Sequence, residues 1–456
     1  MTQAPLWQFE SAVPGVAWPA IPAANAAMVL SVLQQLEQTQ WLAPEKLLEL
    51  QLEQLAVLLR HAYATVPYYK SRWADAYDPT APLTAARFAQ LPLLSRRDLQ
   101  EHFAELRSAN APAAHGAAEE RRTSGSSGAP VRFLTTPLTG LYWNAITLRD
   151  HRWHRRDLAL KLAVIRRETE DSDAGNWGPA TAGLVATGRS VGRSIRADAG
   201  SQLDWILAQE PAYLYTYPSL VAEMARLSLR RGVRPAGLLE VRTLAESLGP
   251  EVRALVREAW GVPLTDLYSA SETGYLALQC PDHEHYHAQS ENALLEVLDD
   301  AGRPCAPGAI GRVVATPLHN FAMPLVRYDI GDFAEVGARC ACGRGLPVLR
   351  RILGRVRNML TTADGRRYWP VFGTRAIMDA APVLQHQFVQ KTHDLVEARL
   401  VVGAPLTPAQ ETRFRERVQS QLPPGVRLRI AYCERIERSA NGKFEDFVSE
   451  LSAAPR

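Results

Sequence analysis

The sequence predicts an α/β protein with a large N-terminal domain of mostly parallel sheets and a β-rich subdomain, followed by a small α+β C-terminal domain. Three observations carry that expectation. Between residues 211 and 268, short apolar strands alternate with amphipathic helices, the pattern of a parallel sheet covered by crossover helices. From about 293 the pattern changes to strands joined by tight turns such as Asp299-Asp300-Ala301-Gly302, as in antiparallel pairing. The last hundred or so residues have a strand and helix alternation of their own. A chain of 456 residues is also too long for one ordinary core. The expected division is 1–353 and 354–456.

Residues 25 to 62 are predicted helical, because Leu47, Leu48, Leu52, Leu55, Leu58 and Leu59 recur at helical spacing. Ala43-Pro44-Glu45 has the form of a helix start. Val66-Pro67 ends a helix, since the residue before proline is pushed out of the helical region. Ser95 is placed to cap another helix. Residues 108 to 120 are Ala-rich and read as a mobile approach to a Gly/Ser loop. Val131-Arg132-Phe133-Leu134 then forms a strand, and 141 to 161 a helix rich in Trp, His and Arg. Residues 166 to 200 read as loop. Pro211 to Ser219 leads from a strand into a helix at 218–231; Val241 to Ser247 leads into a helix at 250–260; Pro263 to Tyr268 begins a third unit. In such sheets ligands bind beyond the carboxyl ends of the strands, so 215–219, 245–247 and 268–273 should gather at one rim. Residues 395 to 402 are a strand of the C-terminal domain.

Bulk properties exclude several classes. With 51 basic and 48 acidic residues the net charge is +3, which gives no case for nucleic acid or an anionic membrane. No apolar run is long enough to span a bilayer. The first twenty residues lack the basic start and apolar core of a signal peptide, so the cytoplasm is the expected location. Five cysteines in so long a chain do not make a disulfide framework.

The residues that carry chemistry lie in separate motifs. Thr123, Ser124, Gly125, Ser126, Ser127 and Gly128 form a hydroxyl- and glycine-rich loop. Its N–H groups and hydroxyls suit a polyphosphate, although the same composition describes a flexible linker. In Tyr268-Ser269-Ala270-Ser271-Glu272-Thr273-Gly274, an aromatic ring can stack on a purine, a hydroxyl can bind phosphate, and a carboxylate can hold Mg²⁺. The plain alternative is a turn. Asp332, in Tyr328-Asp329-Ile330-Gly331-Asp332, can accept hydrogen bonds from a ribose diol or belong to an ordinary hairpin. Lys443, after Asn441-Gly442, can reach an oxyanion or stay solvated. His151 and His154 read as helix-packing residues. Tyr142, Tyr215 and Tyr217 can stack on an aromatic acid or serve the core.

Taken together and in this order, these motifs resemble the adenylate-forming superfamily of acyl- and aryl-CoA ligases, most closely its phenylacetate–CoA ligase-like branch. The resemblance runs from about Val66 to Lys443. It implies that residues 123–128 hold the β- and γ-phosphates of ATP and that Tyr268 stacks on adenine. Ser271 would touch the α-phosphate, Glu272 bind Mg²⁺, and Asp332 bind the ribose with Arg355 nearby. Ala245 and Glu246 would border the adenine and acyl pocket, with Tyr142, Tyr215, Tyr217 and Gly274 towards the substrate. Lys443, on a mobile C-terminal domain, would reach the carboxylate and α-phosphate. The implied activity is formation of an acyl adenylate from a small carboxylic acid, expected to be aromatic, and transfer to coenzyme A. A carrier-protein phosphopantetheine or an amine is the alternative acceptor, and a nucleotide-binding scaffold the non-enzymatic alternative. Two departures stand out. Val131-Arg132 replaces the lysine often found after the loop's proline, and Arg357 and Asn358 stand where many relatives have acidic hinge residues.

Cys280 opens the segment Cys-Pro-Asp-His-Glu-His-Tyr-His, and Cys340-Ala341-Cys342 follows much later. A cysteine and a histidine from the first, with both cysteines of the second, make a closed tetrahedral Zn²⁺ set of the structural kind. His283, His285 and His287 compete for the histidine place, and the family resemblance points to His287. The alternative is a set of unpaired cysteines beside a polar histidine loop.

Overall fold

A computed structural model describes residues 5–123, 130–167, 171–355, 359–369, 380–438 and 444–451. Among the described residues, twelve strands form one continuous sheet and four more form a separate C-terminal sheet. The first sheet has two wings. In one, Leu162–Arg166, Ser190–Ser194, Tyr213–Thr216, Glu240–Thr243 and Leu264–Ala270 pair in parallel. In the other, the strands from Gly274–Gln279 to Val348–Arg355 pair antiparallel. The β-rich region expected after 293 therefore continues the parallel sheet, and the change of direction begins at Gly274.

The strand Leu264–Ala270 joins the wings. Its first residues pair in parallel with Glu240–Thr243, and from Leu267 onward it pairs antiparallel with Gly274–Gln279. Such a change of partner opens a crevice at the strand's carboxyl end. The crossover helices Pro218–Arg231 and Pro250–Trp260 each begin at proline and stop at a glycine with positive φ, Gly232 at 64° and Gly261 at 75°.

The N-terminal region forms two helices, Ala24–Thr39 and Pro44–Thr65, broken where Pro44 starts the second. Ser95 caps its helix reciprocally with Asp98. Three segments depart from expectation. Residues 108–120 end in the strand Glu119–Arg122, which pairs with Arg132–Thr135. The helix expected over 141–161 spans Pro137–Trp153, and Leu162–Arg166 is a strand. The stretch 166–200, read as loop, contains the sheet strand Ser190–Ser194. Ser-Val-Gly-Arg-Ser has little strand propensity, and its pairing with Leu162–Arg166 supplies what local sequence lacks.

The C-terminal sheet orders Arg427–Tyr432, Leu395–Val402, Val383–Thr392 and Phe447–Ser449, with the helix Pro408–Gln419 packed on it. Phe388, Leu400, Phe414 and Val418 fill a core of its own. No described helix is long and apolar enough to cross a membrane.

Candidate active site

The carboxyl ends of Tyr213–Thr216, Glu240–Thr243 and Leu264–Ala270 open onto a cavity of about 530 Å³. The segments after these strands gather at one rim, as the parallel topology dictates. Thr123, Tyr215, Tyr217, Ala245 and Glu246 line it, as do Tyr268, Ser271, Glu272, Asp332 and Arg355. Phe444, His386 and Trp369 line the same cavity from the C-terminal part of the chain. Two of the expected substrate residues are not in the lining. The Tyr142 ring stacks on His319 at 3.6 Å between centroids. Gly274 has φ +81°, and a Cβ there would come within 2.9 Å of the Asn292 amide nitrogen, so its role here is to let the chain turn against Asn292. Ser124, Gly125, Ser126, Ser127, Gly128 and Lys443 lie outside the described residues, as do Arg357 and Asn358.

The Gly/Ser loop connects the two strands of a hairpin. Arg122 pairs with Arg132. Thr123 donates its N–H to the Val131 carbonyl at 2.9 Å and accepts the Val131 N–H on its hydroxyl at 3.0 Å. Both ends of the loop are thereby anchored, which a free linker would not require.

On the opposite side, Tyr268, Asp332 and Arg355 form a connected set. The Tyr268 hydroxyl donates to Asp332 Oδ2 at 2.8 Å, and Arg355 Nε lies 3.4 Å from Asp332 Oδ1. Asp332 and Arg355 face each other across adjacent antiparallel strands, so the sheet register itself makes the pair. Burial, and then the Asp332 charge, hold the Tyr268 hydroxyl well above the usual tyrosine range. Glu272 is buried, and that burial raises its carboxyl pKa against the opposing pull of Arg355 and Arg96. A buried carboxylate whose charge is only partly offset is suited to a bound cation.

Ala245 sits at φ +65°, unusual for a residue with a side chain. The Glu246 N–H donates back to the Leu244 carbonyl at 2.9 Å, closing a three-residue turn around it. That turn aims Glu246 away from solvent. Its Oε2 accepts the Ser219 N–H at 3.0 Å and its Oε1 the Phe444 N–H at 2.7 Å. Glu246 is thus engaged with the protein backbone, including the residue that follows Lys443.

Sequence reasoning missed what lies beneath the rim. Asp150 is 2.6 Å from Arg156 and 2.8 Å from Arg242, while Arg156 also pairs with Glu240 at 2.7 Å. The Arg242 guanidinium stands 4.7 Å from the centre of the Tyr215 ring. His151 and His154 border this network. Burial, then the charges of Arg156 and Arg242 at His151 and of Arg156 at His154, hold both imidazoles below their usual range. Asp266, also in the cavity lining, accepts hydroxyl hydrogen bonds from Thr243 and Tyr286, both at 2.7 Å. Burial pushes its carboxyl up to about 6. No motif signalled these groups, because the network joins the helix Pro137–Trp153 and the residues after it to strands about ninety residues or more further along the chain.

The cysteine and histidine segments also converge. Ligand atoms of Cys280, His285, His287 and Cys340 all lie within 4.8 Å of one another. The Cys280 and Cys340 sulfurs are 3.9 Å apart, and Cys342 Sγ is 3.4 Å from His287 Nε2. His287 Nδ1 faces the Leu346 carbonyl at 3.4 Å, the second contact that orients a ligating imidazole and leaves Nε2 for a metal. His285 Nε2 is buried without a hydrogen-bond partner. The set offers five donors for four positions: of the competing histidines, both His285 and His287 stand among the cysteines.

No protein-family model matches the chain. A phenylacetate-coenzyme A ligase of Thermus thermophilus is 28% identical over 398 residues, covering 84% of this chain and 86% of the relative. A phenylacetate-coenzyme A ligase of Pseudomonas putida is 25% identical over 325 residues, covering 68% and 71%. Among solved structures, a 2-hydroxyisobutyryl-CoA ligase complexed with an acyl-AMP in the postadenylation state is similar with a TM-score of 0.69 at 21% identity, covering 88% of this chain and 89% of that one. The anthranilate CoA ligase AuaEII with anthranoyl-AMP gives 0.54 at 17% identity, covering 72% of this chain and 65% of that one. The chain therefore has phenylacetate-coenzyme A ligases as relatives and the fold of adenylate-forming CoA ligases.

Proposed function

We propose, from this kinship with phenylacetate-coenzyme A ligases, that the chain is an AMP-forming acid–thiol ligase that activates an aromatic carboxylic acid with ATP and passes the acyl group to coenzyme A. The observation that carries the reading is the convergence of Tyr268, Glu272, Asp332 and Arg355 on one strand-end cavity. Tyr215, Tyr217 and Trp143 in the same lining favour a flat acyl group. Coenzyme A is preferred to a carrier protein or amine because the curated relatives are coenzyme A ligases.

In the first half-reaction a carboxylate oxygen attacks the α-phosphorus of ATP, the bond to the β-phosphate oxygen breaks, and pyrophosphate leaves. In the second, the coenzyme A sulfur attacks the acyl carbon, its proton is released, and AMP departs with the electron pair of the acyl–oxygen bond. The Thr123–128 loop cradles the β- and γ-phosphates. Ser271 contacts the α-phosphate, Tyr268 packs on adenine, and Asp332 accepts the ribose hydroxyls while Arg355 holds its other oxygen. Glu272 would hold Mg²⁺, which supplies positive charge where two anions must meet. Lys443 adds the second positive charge at the reacting carboxylate. Ala245 borders the acyl group. Glu246 holds the chain beside Lys443 rather than the nucleotide. The expected boundary after 353 falls inside the strand Val348–Arg355 of the large sheet, so in this reading the chain through Arg355 binds both substrates and the part after it delivers the lysine. Cys280, His287, Cys340 and Cys342, with His285 as the competing ligand, would hold Zn²⁺ in a structural role, since four protein ligands leave no open position.

The test is ATP–pyrophosphate exchange over a panel of aryl and short alkyl acids without any acceptor. Exchange dependent on one acid is expected, and Glu272→Gln should lower it by roughly a hundredfold. Tight ATP binding with no exchange for any acid would reject the enzyme in favour of a nucleotide-binding scaffold.

A further inference from the structure

Arg438 connects the C-terminal part of the chain to the helix Pro218–Arg231. Its Nη1 donates to Ser219 Oγ at 2.7 Å and its Nη2 to Glu223 Oε1 at 3.2 Å. Ser219 and Glu223 are four residues apart on that helix and so share a face. Arg438 Nη1 also lies 3.8 Å from Glu246 Oε1, the oxygen that accepts the Phe444 N–H. The guanidinium stands 5.8 Å from the Phe444 ring centre. The chain is thus held at Arg438 and again at Phe444, by carboxylates on the same side of the cavity. Beyond Phe444 it enters the C-terminal sheet, where the Asp446 carbonyl accepts the Phe388 N–H at 2.8 Å and Phe447 pairs with Phe388.

The residues between the two anchors include Lys443. Phe444 follows Lys443 directly, so the contacts at Arg438 and Phe444 fix the described chain on either side of the lysine, and a catalytic group acts only when its attachment is held near the reacting atoms. The anchors are poorly solvated: the side chains of Glu223, Glu246 and Arg438 are 15%, 5% and 20% exposed. Burial raises both carboxyl pKa values, with Arg438 opposing. Charges in that setting need their partner when docked and water when undocked, so the contact favours one arrangement over intermediate ones.

We propose that Arg438 is a positioning residue for adenylation: through Ser219, Glu223 and Glu246 it anchors the chain on one side of Lys443, as the Glu246–Phe444 contact does on the other, and it takes no part in thioester formation. This rests on the activity proposed above. An isolated surface ion pair would contribute little to either half-reaction, and the two steps can be assayed separately.

Arg438→Ala, Arg438→Lys and Glu223→Gln would be compared with wild type in the full chain. The readouts are pyrophosphate exchange with the accepted acid, and thioester formation from chemically prepared acyl adenylate and coenzyme A. Arg438→Ala is expected to lower kcat for exchange by about tenfold or more with the KM for ATP nearly unchanged, and to leave thioester formation within about twofold. Arg438→Lys should recover part of the exchange, and Glu223→Gln should fall between. Equal losses in both half-reactions, or no loss of exchange, overturn the proposal. If wild type exchanges with no acid, the activity reading fails, and the anchor is then judged by amide hydrogen exchange at Phe444. Protection lost in Arg438→Ala supports it, and unchanged protection rejects it.

Discussion

The Tyr268 hydroxyl, the Asp332 carboxylate and the Arg355 guanidinium form a chain in which each polar group has a partner before any ligand arrives. Preformed contacts of this kind lower the cost of ordering a site. Tyr268, Ser271 and Glu272 were legible because they are contiguous at the end of a strand, where local sequence dictates local placement. Asp266 was not, since its meaning comes from burial and from Thr243 and Tyr286 on other strands. Its carboxyl has a pKa of about 6 in the folded chain against 3.8 as its ordinary value. The unfolded chain therefore releases this proton at lower pH than the folded one. The stabilising contribution is complete below about pH 4 and is lost as pH rises through about 6. Asp266→Asn is accordingly expected to leave stability near wild type at pH 4 and to raise it on the order of 1 kcal/mol at pH 8, read by denaturant unfolding at the two pH values. A variant equally or less stable at pH 8 would contradict the buried, reluctant carboxylate.

At the scale of elements, three pieces place the chemistry. The hairpin of Glu119–Arg122 and Arg132–Thr135 anchors the Gly/Ser loop, which composition alone could not separate from a linker. The strand Leu264–Ala270 exchanges a parallel partner for an antiparallel one and opens the cavity at its end. The segment from Cys340 to Gly345 braces the sheet against the first helices. The Gly345 N–H donates to the Gln40 carbonyl at 2.9 Å, and a Cβ at Gly345 would overlap the Leu42 carbonyl oxygen. Arg344 reaches Gln40 Oε1 at 2.8 Å and lies 4.4 Å from the Trp153 ring centre. Zinc at the adjoining cysteines would tie this brace to the Tyr286–Ala288 strand. Purified protein is expected to carry one zinc per chain, and Cys340→Ser to lose it with a fall in Tm of about 5 °C or more. Metal-free protein with an unchanged Tm in the variant would remove the site. The cysteine spacing announced this cluster and left the histidine open among three, and the turn that closes the Cys280 N–H on the His285 carbonyl brings His285 as well as His287 to it.

For the molecule as a whole, the twelve-stranded sheet with its packed helices and the C-terminal sheet with a core of its own both contribute residues to the cavity. Lys443 should matter to one half-reaction only. Lys443→Ala is expected to lower ATP–pyrophosphate exchange by about a hundredfold while keeping thioester formation from preformed adenylate. Loss of both would move the lysine's role elsewhere. The sequence by itself determined the α/β class, the helices 218–231 and 250–260, the strand 395–402 and the family likeness, because apolar periodicity, prolines, glycines and contiguous motifs act over a few residues. Only the tertiary structure decided that the β-rich region continues the parallel sheet, that Ser190–Ser194 is a strand, and that Glu246 faces Arg438 and Phe444. It alone also brought Asp150, Arg156, Glu240 and Arg242 into one buried network. Those outcomes depend on partners far apart in the chain, and the free energy of a buried charge or a weak strand is set by the partner it finds there.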